Sequence, residues 1–357
     1  MNLDLSRRHA NIVGCGLIGG SIGLALRARG WHVSGTDLDP AVAGRALELG
    51  ALDSIGSDPD ATITFVAAPV GAIPALAKAS LDTTQGAVTD VGGVKAGIVG
   101  AVGGGRFIGG HPMAGSEQLG VDGADPDLFQ GAVWVLTPVA HTDPECYALV
   151  RSVVSDLGAE VIALAPERHD DLVAVVSHVP HLTATAMMRL AAARAEEHQP
   201  LLRLAAGGFR DMTRIAAGSP SIWPDICAEN RDAICTVIDS LIASLGELRD
   251  TVARSDRDGL LHALTEAQAA RRNLPSRVSD LSEVAELRVP VADRVGVIAE
   301  VTTLATELGV NIADVDLAHS SEGDAGVVVV LVDSSKAEAF REGLVELGYR
   351  PALRSLE

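Results

Sequence analysis

Short apolar runs and longer amphipathic stretches alternate through the first half of the chain. Asn11-Ile12-Val13, His32–Thr36, Ala61–Ala68, Ala87–Val91, Arg106–Gly110, Ala132–Thr137 and Glu160–Leu164 each read as a buried strand. Between them Ser21–Ala28, Gly71–Ala79 and Pro144–Leu157 carry apolar residues at helical spacing. Strand and helix in regular alternation predict an α/β domain with a doubly wound sheet over residues 1–165. From Pro166 the texture changes. Apolar positions recur at helical spacing in Leu172–Val176, Leu182–Ala193, Ile234–Leu245 and Leu260–Ala270, and no strand-like run interrupts them before about Leu287. This predicts an all-helical domain over 166–282, with the polar, Pro275-containing segment Arg271–Ser282 as a linker. The tail, 283–357, returns to alternation. Val284–Val291, Asn311–Ala318, Gly326–Val332 and Tyr349–Leu353 read as strands, and Val297–Leu308 and Lys336–Leu347 as helices. The order βαββαβ predicts a ferredoxin-like unit.

Composition narrows the classes of function. A formal charge of −19 argues against a nucleic-acid partner or an anionic membrane, both of which favour a basic face. Any anionic ligand must therefore find a local cluster of Arg, His or helix N-termini. The four cysteines show no C-x-x-C pair and no zinc-like spacing, which points to a reduced, cytoplasmic protein without a metal centre. Arg7-Arg8 followed by Ile12–Leu26 has the charge-then-apolar order of a secretory signal. Glycines at ordered positions and a following strand argue against that reading. No run reaches the ~18–20 uninterrupted apolar residues of a membrane span. The large apolar share of the helical domain predicts that some helices bury a face against a second subunit.

Four stretches carry candidate chemistry. Gly14-Cys15-Gly16-Leu17-Ile18-Gly19 is a G-x-G-x-x-G between a strand and a helix. Gly14 permits the tight turn, Gly16 lets a pyrophosphate approach the backbone, and Gly19 lets helix and strand pack closely. The helix N-terminus then offers free N–H groups to phosphates. This is the Rossmann arrangement. Asp37 ends the second strand, where a carboxylate accepts from a ribose 2′-OH and repels a 2′-phosphate, so NAD is expected over NADP; the alternative is that Asp37 only caps the following turn. Gly92-Gly93-Val94-Lys95 is a second flexible βα turn able to approach the nicotinamide.

In Gly109-Gly110-His111-Pro112, the proline fixes its own φ and keeps His111 extended at a strand's C-terminal edge. Ligands bind at that edge of open α/β sheets, and imidazole suits proton transfer near neutral pH, with an acid limb near ~6.5 if unperturbed. The competing reading is a histidine packed in a tight turn. Ser177-His178-Val179-Pro180-His181 pairs two histidines, with no third ligand at metal spacing. Phe209-Arg210-Asp211-Met212-Thr213-Arg214-Ile215 places two arginines at i,i+4. Either Asp211 neutralises them, or one grips an anionic substrate bidentately.

The motifs at 14–21, 110–117, 177–181 and 209–215 resemble those of the prephenate dehydrogenase family with a C-terminal ACT domain, in the same order and over nearly the full length. The resemblance implies NAD-dependent oxidative decarboxylation of prephenate, with arogenate as the alternative substrate. It implies a homodimer, with His111 as catalytic base, Arg214 holding the ring carboxylate and His181 touching substrate. Trp223 would wall the pocket, and Leu17 and Ile18 would lie with the motif glycines at the cofactor. Many members have serine where this chain has Gly93; Ser116 or a water would then supply that hydrogen bond. In the tail, Arg294-Val295-Gly296 stands for the usual Arg-Pro-Gly turn, implying that L-tyrosine or a related amino acid binds near Gly296 and Asn311.

Overall fold

The computed structural model describes residues 8–115, 118, 120–197, 204–273, 284–292, 294–319 and 325–355. The chain forms β1 (His9–Val13), α1 (Leu17–Arg27), β2 (His32–Thr36), α2 (Pro40–Glu48), β3 (Ser54–Ile55), β4 (Ile63–Val66), α3 (Ile73–Thr83), β5 (Ala87–Asp90), α4 (Ala96–Val102), β6 (Phe107–Pro112), β7 (Val133–Thr137), α5 (Pro144–Asp156) and β8 (Glu160–Ala163). Helices follow: α6 (Pro166–Val173), α7 (Val179–Glu197), α8 (Gly207–Thr213), α9 (Trp223–Glu229), α10 (Arg231–Ala253) and α11 (Arg257–Arg272). The tail holds β9 (Val284–Ala292), α12 (Val297–Glu307), β10 (Ile312–His319), β11 (Ala325–Asp333), α13 (Ser334–Glu346) and β12 (Ala352–Ser355). Two compact units result, Met1–Ala186 with Ile215–Ala243, and Met187–Arg214 with Ser244–Glu357.

The first unit is built on an eight-stranded sheet in the order β3-β2-β1-β4-β5-β6-β7-β8. The strands β1 to β6 run parallel, as the alternation predicts, and β4 and β5 are wholly buried. The pair β6–β7 is antiparallel, with His111 opposite Val135, so β7 and β8 run against the other six. Hydrophobic patterning carries no strand direction, and the expected purely doubly wound sheet gains this reversed edge. The core joins Ile12, Ile22, Leu26, Ile63, Phe65, Phe129, Trp134 and Val150. Local caps set the helix starts. Asp39 accepts from Ala41 N and Asp143 from Glu145 N, each with proline at the next position, where the missing N–H costs nothing.

Two local expectations need correction. The segment 70–83 begins as a 3₁₀ turn, Val70–Ala72, and only then becomes α3, because Pro74 belongs in a helix's first turn. The last strand starts at Ala352 and not Tyr349. Gly348 adopts φ +89, and the Tyr349 hydroxyl turns aside to donate to Glu300 at 2.5 Å. The proposed linker falls largely outside the described residues, and its first part, Arg271–Arg272, still belongs to α11.

In the second unit the four tail strands form one antiparallel sheet in the order β10-β11-β9-β12. Leu287, Val289, Val328 and Val330 line its buried face, and Val301 of α12 with Phe340 and Leu344 of α13 pack on them.

Candidate functional site

The glycine motif folds as its spacing demands. Gly14 adopts φ +94, and a Cβ there would lie 2.2 Å from the carbonyl oxygen of Ala67. A Cβ on Gly19 would lie 1.9 Å from the carbonyl oxygen of Gly14. Both positions are closed to any side chain by neighbouring backbone. Gly16 is the opposite case, since a Cβ there meets nothing within 4 Å. Its missing side chain leaves open space at the N-terminus of α1, whose first amides, at Leu17 and Ile18, receive no side-chain cap. Open space and uncapped N–H groups together fit a pyrophosphate. Asp37 accepts from Cys15 N at 2.7 Å and from Asp39 N at 2.9 Å. It therefore ties the loop to the end of β2 and also caps the following turn. Burial pushes the Cys15 thiol up to about 12, so it stays protonated beside this carboxylate.

His111 sits at the C-terminal end of β6, as its sequence context predicts. The preceding glycines serve packing and not ligand access: a Cβ on Gly109 would lie 2.4 Å from Thr137 Oγ1, and one on Gly110 2.6 Å from the Asp90 carbonyl oxygen. The Gly110 amide donates to Asp90 Oδ1 at 3.0 Å, and the Gly92 amide to Asp90 Oδ2 at 2.9 Å. Lys95 Nζ donates to the same Oδ2, and both side chains are fully buried. One carboxylate thus fixes the backbone before His111 and the turn that follows β5.

The imidazole of His111 has two surroundings. Its Nδ1 lies 2.8 Å from His169 Nε2, and His169 Nδ1 lies 2.8 Å from Asp170 Oδ1. Its Nε2 faces the Gly93 turn, 3.9 Å from where a Gly93 Cβ would stand. Burial first, then the nearby His169, Lys95 and His178, push His111 well below the ordinary histidine value. An acid limb near 6.5 is thereby displaced downward.

Asp170 accepts further from Lys95 N at 2.7 Å and Ala96 N at 2.8 Å, which caps α4. Asn230 donates to the Asp170 carbonyl at 2.8 Å and to His178 Nδ1 at 3.2 Å. His178 ends a π-helical turn, Ala174–His178, between α6 and α7. Burial lowers it to about 4. Its ring meets Trp223 edge-on at 6.2 Å, and His181 stacks on the same indole at 3.7 Å. The structure therefore joins His111, His178, His181 and Trp223 in one network of the first unit. It adds His169, Asp170 and Asn230, which the motifs did not reveal. The missed signal is a helical stripe: the buried positions of α6 are Pro166, His169, Asp170 and Val173, so a histidine and a carboxylate stand on the apolar face.

Arg210 on α8 donates to the Ala205 carbonyl at 3.1 Å, and Arg214 opens the 3₁₀ turn Arg214–Ala217; both belong to the second unit. Ser116 lies outside the described residues. Gly296 adopts φ +91 at the start of α12, and Asn311 is exposed just before β10. Nearby, Arg294 pairs with Glu300 at 2.5 Å, and the guanidinium and the Tyr349 hydroxyl hold that carboxyl down at about 2. No described helix is long and apolar enough to cross a membrane.

Comparison with known proteins adds to this geometry. Residues 22–163 match the family model for the prephenate dehydrogenase nucleotide-binding domain, and residues 165–266 that for its dimerization domain. The chain is 32% identical over 353 residues to prephenate dehydrogenase of Bacillus subtilis, spanning 94% of this chain and 95% of the relative. Among solved structures, A. aeolicus prephenate dehydrogenase in complex with hydroxyphenyl propionate and NAD+ is 31% identical, with a TM-score of 0.70, over 76% of this chain and 100% of that one. Synechocystis arogenate dehydrogenase is 30% identical, with a TM-score of 0.66, over 75% of this chain and 100% of that one.

Proposed function

The chain belongs to the prephenate dehydrogenase family, and from its own geometry we propose which residues carry the reaction. It catalyses the NAD-dependent oxidative decarboxylation of prephenate to 4-hydroxyphenylpyruvate. NAD, held by Gly14, Gly16, Leu17, Ile18, Gly19 and Asp37, supplies the hydride acceptor. His111 takes the proton of the ring hydroxyl at Nε2 as the carbonyl develops. The observation that carries this assignment is that Nε2 faces the Gly93 turn at the sheet's ligand-binding edge. Holding the imidazole neutral keeps it competent as a base at neutral pH, an effect worth ~10²–10⁴-fold in rate. His181 and Trp223 wall the substrate pocket, and Arg214 holds the ring carboxylate in line. Loss of that carboxylate as CO₂ aromatises the ring and makes the reaction effectively irreversible.

A second reading, arogenate as substrate, is supported by the likeness to the Synechocystis enzyme. Initial rates of NADH formation with each substrate at equal concentration test both. Faster turnover of prephenate is expected, and faster turnover of arogenate would replace it.

Three functional domains are proposed, 1–165 for cofactor, 166–282 for substrate and dimerisation, and 283–357 as an ACT domain. The homodimer reading is supported by large apolar side chains left exposed on α10 and α11, among them Leu245, Val252, Leu261 and Leu264. The ACT reading rests on the tail's strand order, β10-β11-β9-β12, with α12 and α13 packed against the sheet. L-Tyrosine binding near Gly296 and Asn311 in a cytoplasmic enzyme completes the proposal. A tyrosine titration that moves neither rate nor thermal midpoint would count against the regulatory part.

A further inference from the structure

The hydrogen bonds behind His111 run in one direction only. A carboxylate can only accept, so the 2.8 Å contact between Asp170 Oδ1 and His169 Nδ1 places the His169 proton on Nδ1. With a single proton on its ring, His169 then accepts at Nε2, and the 2.8 Å contact to His111 Nδ1 assigns the His111 proton to Nδ1. The other nitrogen, Nε2, is left with a bare lone pair, and it is the atom that faces the Gly93 turn. The orientation is built in, because Asp170 is itself held by two backbone donors, Lys95 N and Ala96 N. His169 is fully buried and cannot exchange this contact for water. Those backbone donors also open α4, directly after the Gly92-Gly93 turn. One carboxylate thus fixes both the tautomer of the base and the turn opposite it.

We propose that His169, anchored by Asp170, is a positioning residue that holds His111 with its proton on Nδ1 and its Nε2 free to accept the substrate hydroxyl proton. The proposal rests on the reading of His111 as the base. His169 does not itself receive the proton. It fixes the ring and, as His111 becomes an imidazolium, accepts a stronger hydrogen bond from Nδ1. Without this contact an imidazole favours the proton on Nε2, which would present a donor to the hydroxyl and remove the base. The same dependence of a catalytic histidine on a buried tautomer-setting partner is known from serine proteases.

Two variants separate positioning from packing. His169→Phe keeps a buried ring but has no acceptor for His111. His169→Gln can donate its amide N–H to Asp170 and accept from His111 through its carbonyl, which preserves the direction. We expect His169→Phe to lower kcat by about 10²-fold, with KM for prephenate and Kd for NAD+ changed less than about threefold. Nitrogen-15 spectra of histidine-labelled protein should show His111 Nε2 unprotonated in the wild type and protonated in His169→Phe. His169→Gln should recover kcat to within about tenfold of wild type, with Nε2 again unprotonated. A folded His169→Phe enzyme with wild-type kcat and an unprotonated Nε2 would overturn the proposal. A changed tautomer with unchanged kcat would uphold the positioning and overturn His111 as the base. Should His169→Phe fail to fold, the wild-type spectrum decides alone, and a proton on His111 Nε2 refutes the proposal.

Discussion

Replacing Lys95 with methionine probes the hidden support of the catalytic strand. Lys95 and Asp90 are each 0% exposed, and burial pushes the lysine below its ordinary value while Asp90 opposes that shift. Methionine fills most of the lysine stem's volume, so the change removes mainly the charge and the donated hydrogen bonds. It leaves a buried carboxylate without its cation. Breaking such a pair from one side costs about 3–5 kcal/mol. Asp90 keeps the amides of Gly92 and Gly110, at 2.9 and 3.0 Å, which places the cost near the lower end. At about 2–4 °C per kcal/mol for a unit of this size, the thermal midpoint should fall by roughly 6–12 °C. Thermal unfolding followed by near-ultraviolet circular dichroism measures it. Adding Asp90→Asn should recover part of the loss, because the stranded charge disappears. A Lys95→Met midpoint within about 2 °C of wild type would contradict a stranded charge, since it would mean that water or another cation already satisfies Asp90.

Other consequences follow from the same geometry. Gly14→Ala should fail to fold stably, whereas Gly16→Ala should keep the wild-type thermal midpoint and weaken NAD+ binding by about tenfold or more; equal effects at the two positions would contradict their different surroundings. His178 is buried and lowered to about 4, and His111 is held well below the ordinary histidine value, so the unfolded chain binds more protons below that value. Stability is then fully present above about pH 6.5 and declines towards pH 4, by no more than about 3 kcal/mol from His178; identical urea midpoints at pH 7 and about pH 4.5 would exclude this. Arg214→Ala should raise KM for prephenate by at least tenfold, about 1.4 kcal/mol or more of lost binding, and an unchanged KM would move the clamp to Arg210.

Much of the first unit was legible because its signals are local. G-x-G-x-x-G encodes a turn, a packing contact and an open space within six residues, and each glycine meets the surroundings that its place requires. Asp143-Pro144 marks a helix start by cap chemistry, while the matching Asp39-Pro40 before α2 is absent from the predicted alternation. What was hidden is long-range or directional. The reversal at β7 leaves no trace in alternation, since an antiparallel strand buried on both faces reads like a parallel one. Helix α4, seven residues of AGIVGAV, is too short and too glycine-rich to announce a period. His169 contacts His111 across 58 residues, from a helix whose sequence, PERHDDLV, looks like an ordinary solvated surface. Only the spacing of its buried positions betrays the role, and that spacing acquires meaning once α6 has a neighbour to pack against.

Catalysis depends most on the proton leaving the substrate through His111, and replacement by asparagine is its sharpest test. His111→Asn keeps a polar side chain of similar reach and cannot act as a base. Folded protein that still binds NAD+ with wild-type affinity should lose about 10²-fold or more in kcat for prephenate. Turnover close to wild type in that same protein would contradict the assignment and send the search for the base to another residue.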